Sequence, residues 1–255
     1  MTRTADDRHD FMRRRQRFAR VRLAEKQYAR RLRGVADQIG HIVRMFDPMT
    51  ASGIEQMQAL LHRYAEFITP WARAAARFML REVADRDEKA WYELSQEMSR
   101  NLRKEIRSAP IGRALNVHMD EQVRLIRSMP IEAAERIKKL SIEAQLVTGA
   151  RAKQLAISIE GTGQVTRSRA NLIARTEVAT VSSALVRARS EHVGSTEYIW
   201  RTSMDGDVRK SHREMEGKVI KWDSPPTLSD GMTCHAGQSP NCRCYPEPII
   251  PDPDF

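Results

Sequence analysis

Glycine, proline and aromatic residues are all scarce in this chain of 255 residues, which has 12 glycines, 11 prolines and 6% aromatics. That composition excludes a collagen-like or low-complexity fibre. With only three cysteines the chain has no disulfide framework, and an odd number would leave one thiol unpaired. No apolar run approaches the roughly 18 residues that a membrane-spanning helix needs. No glycine-rich phosphate loop is present, and no apolar stretch follows Arg13, Arg14 and Arg15 to make a secretory or twin-arginine signal. The expectation is a cytoplasmic protein without a membrane partner.

Charge is plentiful but unevenly placed. The chain has 43 Lys and Arg against 33 Asp and Glu, a formal charge of +10. Twelve basic residues against four acidic ones in residues 1–33 carry +8 of it, leaving an almost neutral body. A basic arm, residues 1–35, is therefore expected to attract polyanions, with Arg13, Arg14, Arg15, Arg17, Arg20 and Arg22 as candidate contacts to DNA phosphates regardless of base sequence. The alternative for the same residues is a solvated basic helix.

Hydrophobic residues make up 41% of the chain and recur at helical intervals after the arm. Ile54, Met57, Leu61, Tyr64, Ile68 and Trp71 form one such series, and Trp91, Leu94, Met98, Leu102 and Ile106 another. Thr69-Pro70 predicts a kink or a new helix. Ser-x-Pro-Ile occurs at 108–111 and again at 128–131, and both copies are expected to start helices. Gly149 reads as a helix end and Gly161-Thr162-Gly163 as a turn, followed by a long helix over 165–193. Short strands are expected at 196–202, 218–222 and near 243–249, with a helix inside 207–216 capped by Asp205 or Asp207. The prolines from Pro246 onward exclude a central strand there. The fold class is α+β: a mostly helical N-terminal half, then a small C-terminal domain of one long helix, a few short strands and a loop pinned by Cys and His. The expected divisions are the arm, a helical region over 36–149, a domain over 150–250 and an extended tail at 251–255.

Cys234, Cys242 and Cys244 lie within eleven residues, with His235 beside the first and His212 upstream. Cys242 and Cys244 are two apart, so on an extended segment both thiols leave the same face. Together with Cys234 and His212 they make a chemically complete set for one structural zinc ion, with His235 competing for the histidine position. A metal-free hydrogen-bonded Cys/His core and a reactive thiol are the other readings. A nuclease that uses His212 with Asp205 or Asp207 is a further alternative, since an imidazole beside carboxylates can activate water or help hold a divalent ion. In Arg175-Thr176-Glu177 the apolar flanks predict that one charge is drawn into an interface and paired there.

Five pieces in order resemble the phage Mu F-like family of minor head, or head morphogenesis, proteins: Ala174-Arg175-Thr176-Glu177-Val178, Tyr198-Ile199-Trp200-Arg201-Thr202, Asp207-Val208-Arg209-Lys210-Ser211-His212, Glu216-Gly217-Lys218-Val219 and Asn241-Cys242-Arg243-Cys244. The resemblance covers about residues 150–250. It implies a low-copy minor capsid component of a tailed phage or prophage, working with the portal protein, other head proteins and packaged DNA during head assembly or DNA delivery. The implied location is the host-cell cytoplasm during assembly and then the virion head interior. It implies no enzyme, although the same domain also occurs in toxin-like proteins. Arg175, Glu177, Trp200, Arg209, His212, Asn241, Cys242 and Cys244 are the positions carried over. Cys234 lies outside the family pattern, so that His235 or a water becomes the alternative fourth ligand.

Overall fold

The computed structural model describes residues 5–94, 100–145 and 150–251, with side chains omitted for residues 5–20, 101, 102, 145, 150 and 152. The described elements, in chain order, are α1 (Ala5–Arg44), α2 (Ala51–Phe67), α3 (Thr69–Leu94), α4 (Arg100–Ser108), α5 (Gly112–Gln145), α6 (Ala150–Glu160), α7 (Thr162–His192), β1 (Glu197–Arg201), α8 (Lys210–Arg213), β2 (Val219–Lys221) and β3 (Tyr245–Pro248). Among the described residues no helix is long and apolar enough to cross a membrane. The α+β class is as expected.

The chain forms two compact units, and neither is a continuous stretch. One comprises residues 27–77 and 119–174, the other residues 1–26, 78–118 and 175–255.

The 27–77/119–174 unit is all helical. Tyr28, Leu32, Val35, Ile39 and Ile42 of α1 are buried at alternating spacings of four and three, the stripe that an amphipathic helix presents to a core. Met57 and Leu61 of α2, Ile126, Met129 and Ile137 of α5 and Ile159 of α6 are buried in the same unit. The buried Tyr28 hydroxyl donates to Gln122 Oε1 at 3.1 Å, which satisfies two polar groups in the core. A Cβ on Gly163 would stand 2.7 Å from Gly40 Cα, so α1 and α7 can cross here only because both residues lack a side chain. Thr50 accepts the Gly53 amide at 3.0 Å and caps α2. That helix ends at Phe67, and α3 restarts at Thr69-Pro70, as predicted.

The second Ser-x-Pro-Ile corrects the sequence reading. Ser108–Ile111 does separate α4 from α5, but Pro130 lies inside α5. The helix continues because Ile126, Met129, Ala133, Ala134 and Ile137 are buried along one side of it, and that packing outweighs the hydrogen bond proline removes. Ser128 Oγ donates to Leu125 O at 3.0 Å one turn back. Gly149 and Met98 lie outside the described residues, as does the side chain of Leu102.

The other unit combines helical segments with the sheet. Arg189 of α7 donates to Asp87 of α3 at 2.7 Å, with side chains 5% and 2% exposed, and to the Ile106 carbonyl of α4 at 2.8 Å. One guanidinium thus ties three helices. Burial pushes the Asp87 carboxyl up to about 6, outweighing the downward pull of Arg189. The folded protein therefore keeps this proton up to about pH 6, whereas the unfolded chain loses it near pH 4. The carboxyl's contribution to stability falls as pH rises through that window, by at most about 3 kcal/mol, and is level above it. Urea unfolding of the wild type and Asp87→Asn between pH 4 and 7 should show their difference sloping only between pH 4 and 6. A flat difference contradicts the assignment.

The sheet has the order β2-β1-β3, antiparallel throughout, with Tyr198 opposite Ile220 and Pro248 and Trp200 opposite Pro246. Tyr198 and Trp200 alternate with half-buried residues and are fully buried, the period-two signature that located β1. β3 carries Pro246 and Pro248 and is an edge, where missing amide donors cost least. The helix expected within 207–216 is the single turn α8, and Asp205 does not cap it. Its carboxylate instead accepts the Asp207 amide at 3.2 Å in a local turn.

Candidate metal centre

Three elements bring the chemistry-bearing residues of the C-terminal segment together. α8 supplies His212, while the chain entering β3 supplies Cys242 and Cys244. The loop between β2 and β3 folds back onto α7, where Ser183 Oγ donates to Ala236 O at 2.8 Å and Thr180 Oγ1 to Gly237 O at 3.4 Å. Gly237 has φ of +84°, and a Cβ there would stand 2.3 Å from Ser183 Oγ, so this docking requires glycine. Asn241, at φ +62°, donates its amide to Thr176 Oγ1 at 3.0 Å. Thr176, Thr180 and Ser183 are spaced by four and three, which gives α7 one polar face for the loop.

Arg175 fixes the same turn. Its guanidinium donates to Asn241 Oδ1 at 2.7 Å and pairs with Glu25 of α1 at 3.1 Å, and Arg243 reaches Glu25 at 3.4 Å. The charge drawn into a pairing is therefore Arg175, and Glu177 is half-buried on the same helix. Arg209 donates to the Pro240 carbonyl. Ser211 donates to Asp230 at 2.8 Å, tying α8 to the loop from the other side. Glu216 accepts from both the amide and the hydroxyl of Thr202, at 2.6 and 2.7 Å, which holds the end of β1.

At the centre, His212 Nδ1 lies 3.4 Å from Cys242 Sγ and 3.4 Å from Cys244 Sγ. All three are buried, and their ligating atoms lie within 4.8 Å of one another. His212 Nε2 meets Ser239 Oγ at 3.3 Å; a proton held on Nε2 is the tautomer that would free the Nδ1 lone pair for a metal ion, whereas without one an Nδ1–H donates to sulfur. Trp200 packs edge-on to this imidazole with centroids 5.7 Å apart. The hydrogen bond with Cys244 lowers the Cys242 thiol most, to about 4, helped by His212 and by the Cys244 amide and opposed by burial. That same hydrogen bond, together with burial, pushes Cys244 up. Of the two thiols, Cys242 is the one whose charged form is favoured.

The donor set fits a tetrahedral ion. Bonds of about 2.3 Å to sulfur and 2.0–2.1 Å to nitrogen separate S and N by about 3.5 Å, close to both observed separations. A second observation agrees. The Nε1–H of fully buried Trp200 is directed at Cys244 and lowers that thiol, against the larger upward effects of Cys242 and burial. A thiolate at Cys244, which metal coordination requires, is a stronger acceptor for this donor than the neutral thiol. His212, Cys242 and Cys244 could therefore hold a metal ion.

The remaining candidates lie elsewhere. Cys234 is buried beside Ser239, outside the group of three donors. His235 Nδ1 meets the Tyr198 hydroxyl at 3.1 Å, in a buried aromatic cluster that includes Trp222. Asp205 and Asp207 line a polar cleft of about 380 Å³ together with His212, but both ring nitrogens of His212 are engaged by sulfur and Ser239. Arg22 is exposed, and the side chains of Arg13, Arg14, Arg15, Arg17 and Arg20 lie outside the described residues. Sequence reasoning missed Ser239, whose only signal is its place three residues before Cys242, and the Asp87–Arg189 pair.

An α+β lobe in which a Cys/His cluster joins α8 to the entry of β3, and whose loop is held on a long helix by Thr176, Thr180 and Ser183, is the class of structure these residues define. Residues 135–246 match the family described as phage Mu protein F-like proteins. The chain is also 33% identical over 146 residues to an uncharacterized protein of Haemophilus influenzae. That alignment covers 57% of this chain and 32% of the relative, so the match spans about a third of the relative's length. No solved structure matches the chain.

Proposed function

We propose that this protein is a minor head protein of a tailed phage or prophage, acting without catalysis in head morphogenesis and associating at low copy with the portal vertex. The supporting observation is that the Mu F-like match spans the residues that build the lobe: Arg175, Trp200, Arg209, His212, Asn241, Cys242 and Cys244 lie in one connected network. Such a protein works in the host-cell cytoplasm during assembly and then inside the head. In this reading one structural zinc ion at His212, Cys242 and Cys244 fastens the lobe that other head proteins bind. Co-expression with the portal gene of the same phage tests the association: a complex that survives gel filtration is expected, and two separate peaks contradict it.

The basic N-terminal residues bind packaged DNA through phosphates alone. Truncating residues 1–33 is the wrong test, because Tyr28 and Leu32 are fully buried core residues. Replacing Arg13, Arg14, Arg15, Arg17 and Arg20 with Gln keeps the helix. It should flatten the plot of log affinity against log salt by about 0.9 for each phosphate no longer neutralised. An unchanged slope excludes the arm.

A further inference from the structure

We propose that the metal held by His212, Cys242 and Cys244 keeps its fourth coordination position open to the polar cleft, where it takes water or a small monodentate anion. This inference rests on the zinc reading above and adds to it the identity of the fourth ligand.

Most tetrahedral structural sites are closed by four protein donors, but a site with only three keeps one exchangeable position whatever its role. Among the described residues only three donors share the group. Each alternative fourth ligand is placed elsewhere. Cys234 is close enough to feel the charge of Cys242, but its hydrogen-bond partner is Ser239, and it stands neither in the group of three donors nor on the wall of the cleft. His235 is turned to the Tyr198 hydroxyl at 3.1 Å. Asp205 is paired with Arg243 at 3.7 Å and accepts the Asp207 amide.

What remains in front of the donors is space. His212, Cys242 and Cys244 all form part of the wall of the cleft of about 380 Å³. A water occupies about 30 Å³, so the cleft holds a water or a small anion with room to exchange. Arg175, Arg209 and Arg243 stand on the same wall against Asp205 and Asp207. Glu25 pairs with both Arg175 and Arg243, so the fixed charges there nearly cancel and repel neither water nor a small anion.

Cobalt(II) makes this visible, because its d–d bands respond to every change of ligand. The full chain is loaded with one equivalent of Co2+ and titrated with sodium azide, alongside Cys234→Ser. The expected result is a four-coordinate spectrum with thiolate charge-transfer bands, a saturable shift of the d–d bands on adding azide, and the same spectrum and response in Cys234→Ser. A spectrum indifferent to azide overturns the open position, as does loss of charge-transfer intensity in Cys234→Ser, which would make Cys234 the fourth ligand. In both of those cases the zinc reading stands. Failure to take up cobalt overturns both.

Discussion

His212→Ala is expected to release the C-terminal lobe while leaving the long helices folded. The lobe's core is small: Tyr198, Trp200, Met215, Ile220, Trp222, Leu228, Cys234, Ala236, Cys242 and Cys244. Strands of five, three and four residues around so few side chains bury too little apolar area to be stable without a staple. Removing the imidazole takes one of the three groups that could hold a metal. It also strips partners from two buried thiols and from Ser239, at about 1–3 kcal/mol for each buried group left unsatisfied. A total loss on the order of 3–5 kcal/mol follows, large against ordinary domain stabilities. Limited proteolysis checks it. Cleavage should appear within residues 203–244 of the variant, and of the wild type after chelation, while far-UV circular dichroism changes little. Equal protease resistance of both proteins, with and without chelator, contradicts the role given to His212.

Asp87→Ala should destabilise the sheet-containing unit by about 3–5 kcal/mol, because it leaves the Arg189 charge buried without its counterion. The Ile106 carbonyl remains as a partner but does not neutralise the charge. The same burial that raises the Asp87 carboxyl makes the intact pair a poor stabiliser. The double variant Asp87→Leu with Arg189→Met should therefore recover most of the loss. Chemical denaturation of the two singles and the double completes the cycle. A loss under about 1 kcal/mol for Asp87→Ala, or a double variant as unstable as the single, contradicts this account of the pair.

The lobe was legible in the sequence because its periodicities are short-range. Alternation at Tyr198 and Trp200 marks a strand one face of which is buried, and the structure places both at the centre of the sheet. Cys242 and Cys244 share a face for the same reason and meet His212 as the spacing implied. Cys234 is equivalent to the other two in sequence, because proximity along a loop does not say which thiols converge. In the structure it lies outside the group of three donors and bonds with Ser239, and a lone serine in a loop carries no such signal.

The Asp87–Arg189 pair was hidden by its neighbours. Asp85, Asp87 and Glu88 stand close together in sequence, although Asp87 alone lies four residues from both Val83 and Trp91, on the buried stripe of α3. Checking each acid against that stripe would have found it. Pro130 misled for the opposite reason: the local rule for proline is sound, but tertiary burial on either side of it keeps the helix intact.

Zinc content is the most direct measure of whether His212, Cys242 and Cys244 form the metal clamp on which the lobe depends. Plasma emission on full-length protein, expressed and purified without added metal and dialysed against metal-free buffer, should give close to one zinc per chain, falling to near zero in Cys244→Ser. A wild-type stoichiometry near zero in folded protein would contradict it.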